Sequence, residues 1–418
     1  MLNWGKHQLR MRGGLIAALD VGSSKVCCII AQVQSSGAFE VLGVGYQLSS
    51  GVKSGVVISM EEVITSIVNA VHTAEKMAGL TIRDAFVSIN GTHLKSVNFA
   101  VEMKVAGHAI DDADIRKILT QARIGREDPH YQTLHTVPTG YALDGAKGIR
   151  DPRGMFGDRL WVSIHSLLAK SGPIHNLSTC VARSHLEVAG LVASPYSSGL
   201  ACLVEDEIEL GVILIDMGGS TTSFAVFHEG QLRHTECIPV GGAHVTNDIA
   251  RCFSTTLTNA ERLKTLYGSA IPSVADEREM IIVPLVGEGR GETSNQMPRS
   301  ALVSVIKPRI EETFELLRDR LNKVGISSFS GRRIVLTGGA SQLAGVREIA
   351  TVILGKNIRL GKPVHLGPSE VAHDPSFSAC AGLLTYGKAA YLAYMDSLPQ
   401  SNSRKVLSKI GSIFKQIW

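Results

Sequence analysis

Two short segments of this chain repeat one another in residue type. Residues 15–26 read L-I-A-A-L-D-V-G-S-S-K-V, and residues 211–225 read G-V-I-L-I-D-M-G-G-S-T-T-S-F-A. In each, an apolar run of β type reaches Asp-x-Gly, small hydroxyl residues follow, and a second apolar run leads away. That is the pattern of two strands joined by a tight turn. The residue types suit a polyphosphate, because glycines let backbone N–H groups approach phosphate oxygens and serine or threonine hydroxyls add donors. Asp20 and Asp216 stand at strand ends, where a carboxylate can hold a Mg2+ that keeps its waters. Lys25 adds a point charge for a β- or γ-phosphate. A single turn of this kind is better explained as a structural hairpin. Two copies, Asp20, Gly22, Ser23, Ser24 and Lys25 against Asp216, Gly218, Gly219, Ser220, Thr221 and Thr222, predict two similar half-domains clasping one nucleotide.

Further glycine turns follow. The strand-like run 333–337 ends in Gly338, Gly339 and Ala340 and predicts a helix from about Ser341; a turn without bulk suits a flat adenosine packed on it, or an ordinary strand–helix connection. Gly241 and Gly242 lead into another helix. Glu261 and Lys264, three residues apart, share a helix face and would either grip a ribose and purine edge or form an exposed ion pair.

Other chemistries are excluded. No G-x-x-x-x-G-K-[ST] occurs, the G-E-G-R-G run at 287–291 lacks dinucleotide-loop spacing and reads as a mobile loop, and the histidines show no metal spacing. His165 and His185, in apolar surroundings, read as core histidines. The seven cysteines form no C-x-x-C pair and read as buried, reduced thiols. With 44% hydrophobic and 19% charged residues, the 418-residue chain has material for two or three globular domains. No run of about 18 apolar residues offers a spanning helix, and residues 1–14 lack the apolar core of a secretory signal, so a cytoplasmic location is expected.

The net charge of +4 is too small for a general nucleic-acid binder, but its placement is informative. Arg404, Lys405, Lys409 and Lys415 are its whole excess, with no acid between 404 and 418. Val406, Leu407, Ile410, Ile413, Phe414, Ile417 and Trp418 recur at helical spacing and fall within an arc of about 140°, opposite the cations. A basic face, a broad apolar face and a terminal tryptophan predict an in-plane membrane helix, tethered by a polar linker at 397–403. Four cations at an anionic leaflet contribute about 4 kcal/mol, so firm attachment calls for several tails acting together through self-association. A helix docked on the protein's own core is the alternative.

The remaining elements frame these motifs. Residues 95–105, 131–141 and 160–168 read as strands and 111–124 as a capped helix, a small α+β module. Residues 299–324 form a long amphipathic segment that Pro308 should kink or divide. Arg309, Arg318 and Arg320 on it are candidates for an acidic peptide, or simply a solvated face.

The ordered set of Asp20, Gly22 and Ser23, then 216–222, then 337–340 resembles the actin-like ATPase superfamily. Segments 51–57, 74–79, 88–91, 151–157, 205–207 and 307–312, with the tail, make the chain most similar to its bacterial FtsA-like branch of cell-division proteins. The resemblance implies an α/β, actin-like two-lobed ATPase fold with an inserted α+β subdomain, 1C, and a C-terminal amphipathic helix. It divides the chain into a first lobe 1A (13–91 and 169–205), 1C (92–168), a second lobe 2A (206–247 and 329–396), 2B (248–328), the linker and a membrane helix (404–418). It also implies ATP or ADP with Mg2+ in the cleft, polymerisation at the division site, and a peripheral place on the cytoplasmic side of the inner membrane. The expected partners are the C-terminal peptide of FtsZ at 2B and later division proteins at 1C. Hydrolases of the superfamily place a Glu or Gln before the segment leading into the second lobe; here that stretch is 192–196, V-A-S-P-Y, so turnover should be weak. Alternatives are a PilM-like scaffold, against which the tail speaks, and a superfamily kinase, for which neither a base nor a small-molecule pocket is seen.

Overall fold

The computed structural model of the chain describes residues 14–105, 107–123, 128–286, 294–325, 333–364, 366 and 373–397. The readings of the first thirteen residues, of the loop 287–291, and of the linker and amphipathic tail over 398–418 lie outside these.

Strands β1 (Leu15–Val21) and β2 (Lys25–Val33) form the first predicted hairpin, with Val21 opposite Val26. Next come β3 (Phe39–Leu48), a two-strand ribbon of β4 (Val52–Lys53) and β5 (Val56–Val57), and helix α1 (Met60–Ala78). Helix α1 lays Val63, Ile67, Ala70 and Ala74 on the sheet and stops at Gly79, whose left-handed φ of 68° ends it. The crossover returns the chain as β6 (Asp84–Ile89), parallel to β1.

An α+β module interrupts the lobe here. Strand β7 (Leu94–Lys104), helix α2 (Asp112–Arg123) and strands β8 (Tyr131–Leu143), β9 (Ala146–Ile149) and β10 (Arg159–Lys170) build a four-stranded sheet in the order β7-β10-β8-β9. Asp111 caps α2, its carboxylate accepting from the N–H groups of Ala113 and Asp114. The module has its own core, including Met103, Ile118, Leu160, Val162 and Ile164. Helix α3 (Ser171–Arg183) and strand β11 (Glu187–Ala193) then complete the first sheet, β11-β6-β1-β2-β3.

Helices α4 (Ser194–Cys202) and α5 (Glu205–Leu210) carry the chain into β12 (Val212–Met217), β13 (Thr222–His228) and β14 (Gln231–Ile238). Helices α6 (Gly242–Cys252) and α7 (Leu257–Tyr267), ribbon strands β15 (Met280–Pro284) and β16 (Ser294–Pro298), and helix α8 (Arg299–Lys323) form the next group. Strand β17 (Arg333–Thr337), helix α9 (Val346–Leu354), strand β18 (Asn357–Leu360) and helix α10 (Ser378–Ser397) follow. The second sheet, β14-β13-β12-β17-β18, has the same plan as the first: three antiparallel strands, then two parallel ones beside the aspartate strand.

Strand β12 is covered on both faces, which is why it reads as an unbroken apolar run. Val212 and Leu214 join the first lobe's core, and Ile213 and Ile215 the second's. Two helices cross between the lobes: α4 packs on β12 and β13, and α10 on β1, β2 and β6. At their crossing Gly382 lies against the Ser197 backbone, leaving no room for a side chain.

Three expectations are corrected. Pro308 does not divide α8, which runs unbroken from Arg299 to Lys323; its buried face, including Leu302, Ile306, Ile310, Phe314 and Leu317, outweighs one lost backbone hydrogen bond. His165 is buried, but His185 is exposed, in a left-handed turn (φ 63°) beyond α3. The turn at Gly338 opens a short 3-10 segment, Gly339–Gln342, and the α-helix begins only at Val346.

Candidate functional site

The two hairpin turns are built alike. The Gly22 N–H donates to Lys25 O at 3.0 Å, and the Gly218 N–H donates to Thr221 O at 2.9 Å. The turns then meet face to face across the lobes. The Ser220 N–H donates to Ser23 Oγ at 3.0 Å, and Gly219 sits so close to Ser24 Oγ that a Cβ there would collide with it. From the first lobe the Ser54 N–H donates to Ser220 Oγ at 2.9 Å, and Asn90 Nδ2 to Thr221 Oγ1 at 3.3 Å. One donor of the second turn, the Ser220 N–H, thus points across at oxygen, the atom type a phosphate presents, while the Ser220 and Thr221 hydroxyl oxygens accept from the first lobe.

Behind the turns lie the two aspartates. Ser88 Oγ donates to Asp20 Oδ1. Ser198 Oγ donates to Asp216 Oδ2 at 2.6 Å, and the other oxygen, Oδ1, lies against Gly338, where φ is 84° and a Cβ would overlap it. Burial pushes the Asp20 carboxyl above its ordinary range, partly offset by Ser88 and Lys25. Burial also raises Asp216, to about 6; the Ser198 hydrogen bond opposes this and the charge of Asp20 adds to it. Asp20, half-buried, and Asp216, buried, form a donor set whose mutual repulsion a divalent cation would relieve, so these residues fit Mg2+.

The other glycine turns gather around the second hairpin. The Gly242 N–H donates to Gly218 O at 3.0 Å and the Ala243 N–H to Gly219 O at 2.7 Å, so the hairpin's carbonyls cap α6. A Cβ on Gly242 would stand 3.1 Å from that of Ala340, which brings the 241–242 and 338–340 turns side by side. Lys264 Nζ donates to Glu261 Oε2 at 2.6 Å, to Thr246 Oγ1 at 2.9 Å and to Gly242 O at 3.2 Å. The Glu261–Lys264 pair is therefore tied to the start of α6.

The Lys25 ammonium donates to Ser376 Oγ at 2.7 Å and stands 3.3 Å from the centre of the Phe377 ring, a cation–π contact. Two of the three arginines proposed for an acidic peptide already have acids within the chain. Arg309 is paired with Asp248 at 2.6 Å and with Glu312, and Arg320 with Glu236 at 2.9 Å, while Arg318 is exposed.

Ser194, in the stretch 192–196 that lacks a Glu or Gln, begins α4 and is buried. Among the described residues, the side-chain hydrogen bonds to Asp20 and Asp216 come from serines alone. Ser54, Ser88 and Asn90 entered the sequence reading only within the family-like segments 51–57 and 88–91, and Ser198 not at all. Ser88 follows from strand register, since β1 and β6 pair Leu19 with Val87. Ser198 has no such signal, because it reaches Asp216 from a different element.

A family model described as "Cell division protein FtsA" matches residues 213–382, and one described as "SHS2 domain inserted in FTSA" matches 91–168. The chain is 44% identical over 405 residues to the cell division protein FtsA of Rhizobium meliloti (strain 1021), covering 93% of this chain and 92% of that protein. It is 38% identical over 376 residues to the Pseudomonas aeruginosa FtsA, with 90% and 89% covered, and 31% identical over 411 residues to that of Escherichia coli K12, with 96% of each covered. Among solved structures, a chain of the PilM-PilN type IV pilus biogenesis complex matches with a TM-score of 0.63 at 15% identity, covering 89% of this chain and 98% of that one. MreB5 of Spiroplasma citri bound to ADP matches at 0.55 and 14% identity, covering 92% and 99%. At such identities the structural likeness shows the fold alone, which is actin-like.

Proposed function

This chain belongs to the FtsA family of cell-division proteins, and from that footing we propose that it binds ATP or ADP with Mg2+ between its lobes, polymerises on the inner face of the cytoplasmic membrane and anchors the FtsZ ring there. The nucleotide reading is carried by one observation: two equivalent Asp-x-Gly turns meet directly, with the half-buried Asp20 behind one and the buried Asp216 behind the other. Gly22, Ser23, Ser24, Gly218, Gly219, Ser220, Thr221 and Thr222 would take the phosphates. Gly241, Gly242, Glu261, Lys264, Gly338, Gly339 and Ala340 would take the nucleoside. Asp20 and Asp216 would hold the cation through water, and the cation would supply positive charge against the phosphate oxygens. Lys25 would join them by leaving Ser376.

Hydrolysis is proposed to be slow, because the stretch 192–196 supplies no Glu or Gln to orient water and the buried Ser194 there is a poor base. Robust steady-state turnover that Asp216→Ala abolishes would contradict this. Subdomain 2B (248–328) is the proposed seat of the FtsZ C-terminal peptide, 1C (92–168) that of later division proteins, and the basic amphipathic tail the membrane contact. Among the described residues no helix is long and apolar enough to cross a membrane.

Co-sedimentation with anionic vesicles tests the tether. The full chain should carry FtsZ down with the vesicles, and a version ending at Ser403 should not. Vesicle binding that leaves FtsZ in solution would move the assignment to a scaffold of another envelope assembly. If neither version binds lipid, the tail is a docking helix.

A further inference from the structure

The two carboxylates share one arrangement. Ser88, at the end of β6 and 2% exposed, donates its hydroxyl to Asp20 Oδ1; Ser198, in the middle of α4 and fully buried, donates to Asp216 Oδ2. Each hydroxyl occupies one oxygen of one carboxylate and fixes the plane of the group. For Asp216 the other oxygen, Oδ1, has the room that glycine leaves at 338. Neither serine belongs to a glycine turn or meets a phosphate-binding donor among its hydrogen bonds. Each acts on the site only through its aspartate.

We propose that Ser88 and Ser198 are positioning residues for the cation, each holding one oxygen of its aspartate so that the other is presented to Mg2+ and its waters. This rests on the nucleotide reading above. The physical basis is preorganisation. A free carboxylate rotates about its terminal bond and loses that freedom on binding, whereas a carboxylate already held by a charge-assisted hydrogen bond has less to lose. The two serines differ in what they report. Ser88 sits beside Asp20 in the same sheet and fixes it locally. Ser198 comes from the helix that joins the lobes, so the aim of Asp216 depends on where that helix lies.

The test is a titration of the full chain with a fluorescent ATP analogue, in EDTA and across a Mg2+ series. Ser88→Ala and Ser198→Ala should each raise the Mg2+ concentration for half-maximal tightening by about tenfold, the equivalent of about 1.4 kcal/mol for one charge-assisted hydrogen bond. Affinity in EDTA should stay at the wild-type value, an effect that mere loss of packing would not produce. Ser88→Thr, which keeps the hydroxyl, should restore the Mg2+ response. Ser198→Cys, nearly isosteric with a weak donor, should behave as the alanine variant does and guards against a cavity artefact at that site. Alanine variants with a wild-type Mg2+ response, alongside an Asp216→Ala control that has lost it, would overturn the proposal and leave the nucleotide reading standing. A wild-type chain that binds no nucleotide in any Mg2+ would remove both.

Discussion

Asp20 and Asp216 occupy equivalent places in two sheets of the same strand order, and each accepts a hydrogen bond from a buried serine. The serines, however, come from inequivalent places. Beside Asp20 the neighbouring parallel strand supplies Ser88. Beside Asp216 the corresponding strand residue is Thr337, and its hydroxyl faces away, toward Ser378 Oγ at 2.7 Å and Gly361 O at 3.1 Å. The helix from the other lobe, α4, provides Ser198 instead. The duplication is therefore one of backbone, while the chemistry at each aspartate is assembled separately. The first half is self-contained, and the second depends on the contact between the lobes.

The sharpest way to break this comparison is at the turns beside the aspartates. Gly338 has a left-handed φ of 84° and a Cβ there would overlap Asp216 Oδ1 and the Met217 carbonyl, so Gly338→Ala should cost about 3 kcal/mol in urea unfolding. Gly22→Ala in the turn of the first hairpin, meeting only Lys25 O at 2.9 Å, should cost about 1 kcal/mol. Equal losses would mean that the second half is no more constrained than the first.

The pH dependence of stability is next in size. Burial pushes Asp216 up to about 6 in the folded chain, from an ordinary 3.8. The unfolded state loses this proton first, so the protonated group's contribution is complete below about pH 4 and is lost as pH rises through about 6. At neutral pH the buried charge costs up to about 3 kcal/mol. Asp216→Asn should therefore be more stable than the parent by up to that amount at pH 7.5, with no gain at pH 3.5, by urea midpoints at the two values. The Asp20→Asn change should act in the same direction, since burial raises that group too. A gain independent of pH would show that the charge is not the cause.

Thr337→Val should lower stability by about 1 to 2 kcal/mol through the lost hydrogen bonds to Ser378 and Gly361, and leave the Mg2+ response of nucleotide binding intact. A shifted response would mean that Thr337 serves Asp216 after all and that the halves are more alike. The smallest effect is expected at the rim. Glu261 is half exposed, so Lys264→Ala should weaken binding of a fluorescent ATP analogue by only a few-fold, about 1 kcal/mol or less.

The parts legible in the sequence are those set by local pattern. The two hairpins show as apolar runs broken by Asp-x-Gly, and helix α2 by its acidic cap and period. Lys25 shows the limit: its type suggested a phosphate, and its partners, Ser376 and Phe377, lie at the far end of the chain. Arg309 and Arg320 looked free for an acidic peptide for the same reason, because Asp248 and Glu236 are distant in sequence. Pro308 looked like a break because local propensity argues for one, and the packed face of α8 overrides it.

By itself the sequence determined the duplicated turns, the aspartate at the head of each, the inserted module between strands of the first lobe and the family. These depend on residues within a few positions of one another, where backbone sterics and side-chain period act directly. Only the tertiary structure decided which serine holds which aspartate, that Lys25 leans on an aromatic ring, and that the two turns meet. Those contacts join residues from distant parts of the chain, and nothing in the local pattern of either partner specifies the other.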